Sequence, residues 1–441
     1  MLSRRAMLGA VLVPGACMGD PQRAEGPFVQ VREGGFRLGG ARYAFVGANL
    51  WYGAYLGAAA DYGARARLQR ELDTLAAMGV SNLRVLGASE LSPLRNSLDP
   101  AFREAAPPYN ETLLAGLDVL LAEMAARSMK AVVYLGNFWE WSGGMATYLY
   151  WTNGGRYIDM NDPAHPWPAF ADFASQFYAS EAAVSLYHDY VRTLVSRVNS
   201  VTGAAYRDDP AIMAWQLANE PRPGGSVEAG ARNMPAYQAW IASTARLIKS
   251  LAPNHLVSTG SEGLMGCMES QQCVLDAHAS ADIDYLTAHI WPQNWSWVDP
   301  ADLEGTFARA QANTQDYIEA HIGFARALNK PVVIEEFGFP RDAMALIPGS
   351  PTTLRDGYFM QVFDAVTASV RAGGPLSGSN FWAWGGAGRA QHEDRRMRRG
   401  DTSYVGDPPH EPQGWYSVFD EDASTRALLR THAEELTAAL A

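Results

Sequence analysis

Two glutamates stand in settings suited to chemistry. Glu220 lies between Asn219 and Pro221, and Glu336 lies within Glu335-Glu336-Phe337-Gly338. Each marks the point where a short apolar run, Ile212 to Leu217 or Val332 to Glu336, gives way to polar residues. Other apolar runs stop in the same manner: one near Arg84, one leading into Asn137 and Trp139, one at His289 and one at Trp382. Cleavage of a glycosidic bond needs two carboxyl groups from different strands. One is kept neutral as a proton donor by burial or a nearby negative charge, and the other is ionised to attack or stabilise an oxocarbenium-like centre. A lone Glu at a strand end is ordinarily an exposed carboxylate. Two of them, with Arg and His at other strand ends, ask for a different account. Glu335 and Glu336 are neighbours, so the alternation of side chains along a strand sends only one of them into a common mouth. Parity alone does not say which.

The elements that must hold these groups alternate along the chain. Phe28 to Val31, Gly34-Gly35 and Phe36 to Leu38 read as a hairpin, followed by a strand at Tyr43 to Asn49. Further strands are predicted at 82–86, 131–135, 212–217, 256–258, 285–289, 332–336 and 380–384. Between them run helical patterns: Leu68, Leu72, Leu75 and Met78; Leu114, Leu117, Leu121 and Met124 behind an Asn110 N-cap; and Val184 to Val198. More follow near 235–251, 307–328, 354–372 and 424–440. Short apolar strands alternating with helices indicate a parallel sheet covered on both faces, and eight such units close naturally into an α/β fold, a single (β/α)8 barrel. Its chemistry then belongs at the C-terminal ends of the strands.

The chain has 441 residues, 48% hydrophobic and 11% aromatic, with a formal net charge of −12 and no dense Lys/Arg run. That composition supports a packed core and argues against nucleic acid or an anionic membrane surface as partner. The expected domains are an export signal at 1–24 and one catalytic domain at 25–441, monomeric. Ser3-Arg4-Arg5 before the apolar stretch Ala6 to Val13 resembles a twin-arginine signal, and Cys17 after Gly15-Ala16 resembles a lipoprotein site, despite Pro14. The expected location is therefore periplasmic, outer-membrane-anchored or extracellular, and any membrane association runs through that lipid. Cys267 and Cys273 match no common zinc spacing; in an oxidising compartment a disulfide is expected, with two free thiols as the alternative. No Ca2+ loop or His cluster is present in the sequence, so no cofactor or metal is expected. Of the 13 Trp, Trp139, Trp291 and Trp382 are the candidates for stacking on sugar rings.

The sequence resembles glycoside hydrolase family 5, and within it the endo-β-1,4-mannanases, over roughly 28–390. The resemblance rests on Ala218-Asn219-Glu220-Pro221-Arg222, Glu335-Glu336-Phe337-Gly338, Phe381-Trp382-Ala383-Trp384-Gly385, Asn82-Leu83-Arg84, Asn137-Phe138-Trp139 with Gly143-Gly144-Met145, and Thr287-Ala288-His289-Ile290-Trp291-Pro292. It implies Glu220 as acid/base and Glu336 as nucleophile of a retaining reaction on β-1,4-mannosidic bonds of mannan, galactomannan or glucomannan. It further implies Asn219 at the sugar 2-hydroxyl, Arg84 and His289 organising the carboxyl groups, Trp382 under the −1 sugar, and Asn137, Trp139 and Arg222 on flanking sugars. Trp291 departs from the family pattern, which often has Tyr there bonded to the nucleophile; an indole donates one N–H and accepts nothing. Other readings are another β-1,4-glycanase, an exo-mannosidase of the same clan, or a carbohydrate-binding barrel without turnover. No Gly-x-Ser-x-Gly elbow supports an esterase.

Overall fold

The structure, a computed structural model, describes residues 26–441. The export signal and the Cys17 site read from the sequence lie outside the described residues.

Three short strands open the described chain as an antiparallel sheet: β1 (Gln30–Arg32), β2 (Gly35–Leu38) and β3 (Ala41–Tyr43). The expected hairpin is thus one strand larger. Eight parallel strands follow: β4 (Phe45–Asn49), β5 (Val80–Leu86), β6 (Lys130–Tyr134), β7 (Ile212–Gln216), β8 (Leu256–Ser258), β9 (Leu286–Ile290), β10 (Val332–Phe337) and β11 (Leu376–Phe381). They pair in the order β8-β7-β6-β5-β4-β11-β10-β9. At the seam between β8 and β9, Asp284 replaces a ladder. Its N–H donates to the Val257 carbonyl at 2.8 Å, and its carboxylate accepts the Val257 N–H at 2.6 Å and pairs with Lys249 at 2.6 Å. The sheet is thereby closed as a (β/α)8 barrel.

Eight outer helices, one after each barrel strand, bury apolar stripes against it: Arg65–Ala77, Glu111–Ala126, Glu181–Val195, Val227–Leu251, Gln271–His278, Leu303–Leu328, Thr353–Arg371 and Ala423–Leu440. Their starts follow capping chemistry. Asn110, Ser180, Ser226 and Asp302 each accept a hydrogen bond from a backbone N–H of the first turn. Val227–Leu251 begins eight residues before the predicted start, because Ser226 caps it and Pro235 is carried inside the helix rather than opening it. The first sheet packs Val29 and Phe36 against Phe45, Leu256, Tyr285 and Val333 near the strand starts. The opposite end is left for the site.

The predicted eighth strand at 380–384 is displaced. The barrel strand is Leu376-Ser-Gly-Ser-Asn-Phe381, small and polar enough to hide from an apolar scan, whereas Trp384–Gly386 forms β12, paired with β13 (Val418–Phe419). Two insertions rise over the C-terminal ends of the strands: 137–180 after β6, and 387–417 between β12 and β13. The second crosses the loops that follow β4 and β5. There the Trp51 indole donates to the Gly406 carbonyl at 2.9 Å, Arg399 pairs with Asp99 at 2.9 Å, and Tyr404 stacks on Tyr52. Cys267 and Cys273 are both buried with their sulfur atoms side by side, the placement that the disulfide expected from the sequence requires. Among the described residues no helix is long and apolar enough to cross a membrane.

Candidate active site

Glu220 leaves β7 with φ of +50°, a left-handed conformation costly for a side chain with a Cβ, fixed by its N–H donating to the Gly260 carbonyl at 2.9 Å. This twist turns its carboxylate into a nest of three donors. His289 Nδ1 lies 2.7 Å from Oε1, the Trp291 indole donates to Oε1 at 3.2 Å, and the Trp139 indole donates to Oε2. Burial alone would raise this carboxyl. The hydrogen bond and charge of His289, the charge of Arg222 and the Trp139 N–H outweigh it and hold the group well below the usual carboxylate range.

Glu336 enters from β10. The β10–β9 register slips between Ile334 and Glu336, so strict alternation fails. Glu335 and Glu336 both reach Arg84, but only Glu336 lines the cavity above. Glu335 stays in the barrel interior, accepting from Gln216 and, at 3.3 Å, from Tyr285. His289 Nδ1 also lies 3.3 Å from Glu336. Burial disfavours a charged imidazole, yet the surrounding carboxylates of Glu336, Glu220 and Glu335 raise His289 well above its ordinary value. One side-chain atom from each of Glu220, His289 and Glu336 lies within 4.8 Å of the other two, with the imidazole between the two carboxyl groups.

Arg84, on β5, is fully buried and acts as a hub. It donates to Gln216 at 2.7 Å, Asn219 at 2.8 Å, Asn49 at 3.2 Å and to Glu336. Asn219 in turn donates to Asn137 at 3.1 Å, and Asn137 accepts from the Trp139 backbone N–H and donates to Ser142. Asn137 is therefore behind the wall, fully committed to protein partners. The expectation that it binds a flanking sugar is corrected to a part in aiming Asn219 and Trp139. Trp291, where the family pattern often has a Tyr bonded to the nucleophile, donates its N–H to Glu220 instead.

The cavity holds about 570 Å³ and is lined by Glu220, Glu336, Asn219, Trp139, Arg222, Trp291 and Trp382, as the sequence leads one to expect. Several walls were not read from the sequence. Trp141 and Trp167 belong to the 137–180 insertion, and Glu262 follows β8. His410 and Glu411 come from the 387–417 insertion, beyond the span of the resemblance. His410 stacks on Trp141 (14° between planes), and Trp141 meets the edge of Trp382. Glu411 is 6% exposed, faces the Trp382 indole, and is pushed well above its ordinary value by burial and by Asp407 and Glu336. On the other side, Arg222 pairs with Glu262 and lies 5.0 Å over the Trp139 ring. Burial raises the Glu262 carboxyl to about 7 against the pull of Arg222.

Strand-end carboxyl groups, a fixed Arg hub and an aromatic-lined cavity at the top of an eight-stranded barrel define a glycoside hydrolase of the barrel clans. The chain belongs to the glycoside hydrolase family 5 described as "GH family 5 beta-mannosidase-like", whose model matches residues 26–440. A "Glycoside Hydrolase Family 5 Mannosidase from Rhizomucor miehei" is similar at 35% identity, covering 94% of this chain and 98% of that one, with a TM-score of 0.85. That enzyme has also been solved, as a mutant, in complex with mannosyl-fructose. A "Putative mannan endo-1,4-beta-mannosidase 4" of Arabidopsis thaliana is 30% identical over 85% of this chain and 88% of its own length.

Proposed function

We propose that this enzyme is a retaining β-mannosidase that removes single mannose units from the non-reducing ends of β-1,4-linked manno-oligosaccharides. The observation that carries the exo reading is the wall beyond Trp382. Leaving sugars belong beside Glu220, on the Trp139–Arg222 side, because Glu220 protonates the bond that breaks. In the opposite direction a long groove would have to cross β11, β4 and β5. There the 387–417 insertion lies over the loops, and Trp141, His410 and the buried Glu411 end the cavity. The similarity to a family 5 mannosidase supports mannose as the sugar.

In the first step Glu336 attacks the anomeric carbon, and the glycosidic oxygen leaves with a proton from Glu220. Glu220 and His289 share that proton across 2.7 Å, so the imidazolium can restore it to the carboxylate as charge develops. Glu220 then takes a proton from water, which releases mannose from Glu336. The close approach of the two carboxyl groups, within 4.8 Å at their nearest ligand atoms, supports direct attack rather than an intervening water, which needs roughly 6.5–9.5 Å. Arg84 donates to Glu336 and fixes its aim at the anomeric carbon.

The endo action implied by the sequence remains the second reading, favoured by relatives such as the Arabidopsis protein. The reading of residues 1–24 as an export signal belongs to the same proposal. The deciding experiment is a time course on mannopentaose labelled at its reducing end. Mannose and labelled mannotetraose as first products support the exo reading. Labelled mannobiose or mannotriose appearing first would establish internal cleavage, and binding without turnover would point to an inactive barrel.

A further inference from the structure

Glu262 takes no part in the reaction described above, yet it is 3% exposed in the cavity wall and held from both ends. Its backbone carbonyl accepts the His289 N–H at 3.1 Å and the Tyr317 hydroxyl at 2.7 Å. Its carboxylate grips Arg222 Nη2. Arg222 lies on the face of Trp139, and the Trp139 indole edge holds Glu220. A continuous line of contacts therefore runs from Glu262 through Arg222 and Trp139 to the acid/base, resting on the same strand that supplies His289.

The charges around Glu220 pose a problem that this line answers. Facing it are His289 from β9 and Arg222 from the loop after β7, with Arg84 from β5 behind Glu336. The Trp139 and Trp291 N–H groups also favour its ionised form. On the opposing side stand Glu336 on β10, Glu262, and Glu411 beside the imidazole of His410. Glu336 loses its charge once it is glycosylated. Glu262 reacts with nothing and opposes Arg222 throughout the cycle.

We propose that Glu262 is a positioning residue for proton transfer: it pins Arg222 flat on Trp139 and cancels its charge, so that the Glu220–His289 pair keeps its proton into the alkaline range. The inference rests on Glu220 being the acid/base. Glu262 is ionised on the alkaline side, where that proton is at risk. Replacing it by a neutral isostere leaves Arg222 uncompensated. The pair then loses its proton at lower pH, and the high-pH limb of kcat/KM moves down. One charge a few ångströms from a carboxyl shifts its titration by about one pH unit or more.

The test is the pH profile of Glu262→Gln with two substrates. With mannobiose, whose leaving sugar needs a proton, the high-pH limb falls by about one unit. With 2,4-dinitrophenyl β-mannoside, whose leaving group needs none, it stays in place. A limb that stays put for mannobiose, or moves equally for both substrates, overturns the proposal; the second result marks a merely structural role. Should Glu262→Gln fail to fold, Arg222→Met decides. Loss of the cation must raise the mannobiose limb, and an unmoved or lowered limb overturns the proposal. The underlying reading is separated by Glu220→Ala. If that variant loses the two substrates equally in the glycosylation step, Glu220 is not the acid and the failure lies there rather than with Glu262.

Discussion

Asp407 offers the sharpest stability test, because one buried carboxylate organises the segment that ends the cavity. It is fully buried and accepts the Gly414 N–H at 2.6 Å, the Tyr416 N–H at 2.6 Å and the Ser417 hydroxyl. Gln413 completes the loop by donating to the carbonyls of Asp407 and Glu411 at 3.0 and 3.2 Å. In Asp407→Ala two buried backbone N–H groups lose their acceptor, at about 1–3 kcal/mol each. Relief from burying a carboxylate, whose affinity for its proton is raised by that burial, returns part of this. The net loss is about 3 kcal/mol. For a chain of this size the unfolding entropy is on the order of 0.9 kcal/mol/K, so the melting temperature falls by only about 3 °C. Activity suffers more, because His410 and Glu411 are carried on the loop that Asp407 ties. We expect at least a tenfold lower kcat/KM on mannobiose, with Glu336 and Arg84 undisturbed, an order-of-magnitude figure for loss of a positioned wall. Differential scanning calorimetry and initial rates would test both. A melting temperature and kcat/KM equal to those of the parent would refute the assignment of Asp407 as the organiser of this wall.

Trp291→Phe removes a donor from Glu220, a group held below its ordinary value by its partners, so the Glu220–His289 pair holds its proton more tightly and the high-pH limb of kcat/KM moves up. A charge-assisted bond of about 1.5 kcal/mol corresponds to roughly one pH unit, and a downward shift would contradict the geometry. Cys267 and Cys273 lie side by side, so in protein purified under oxidising conditions iodoacetamide in denaturant is expected to leave the tryptic peptide that carries both unmodified until reductant is added. Two added groups on that peptide before reduction would mean two free thiols instead.

The barrel was legible because its signals are local. Apolar runs such as Ile212 to Gln216 and helix stripes such as Leu68, Leu72 and Leu75 repeat with the periods of strand and helix. β11 escaped since Ser377, Gly378, Ser379 and Asn380 carry none of that signal; their burial comes from neighbouring strands. Glu220 and Glu336 could be read from their motifs, but which of Glu335 and Glu336 faces the cavity depends on a register slip that no spacing announces. Asn137 has the type and position of a sugar ligand, and only its two occupied ends reveal its other role. Glu262, His410 and Glu411 sit in segments without periodicity, and become site residues only because long loops fold back over the mouth.

The three-stranded sheet at the strand starts has a consequence for how the enzyme can be mounted. Val29 and Phe36 pin the beginning of the described chain to the base of the barrel, so residue 26 emerges on the face opposite the cavity. Any tether joined ahead of it, whether a lipid, a fused domain or a solid support, pulls from the base and leaves the mouth turned outward. An enzyme held that way offers its cavity to oligosaccharides arriving from solution, and immobilisation through the N-terminal side should preserve access that attachment at the insertion 387–417 would block.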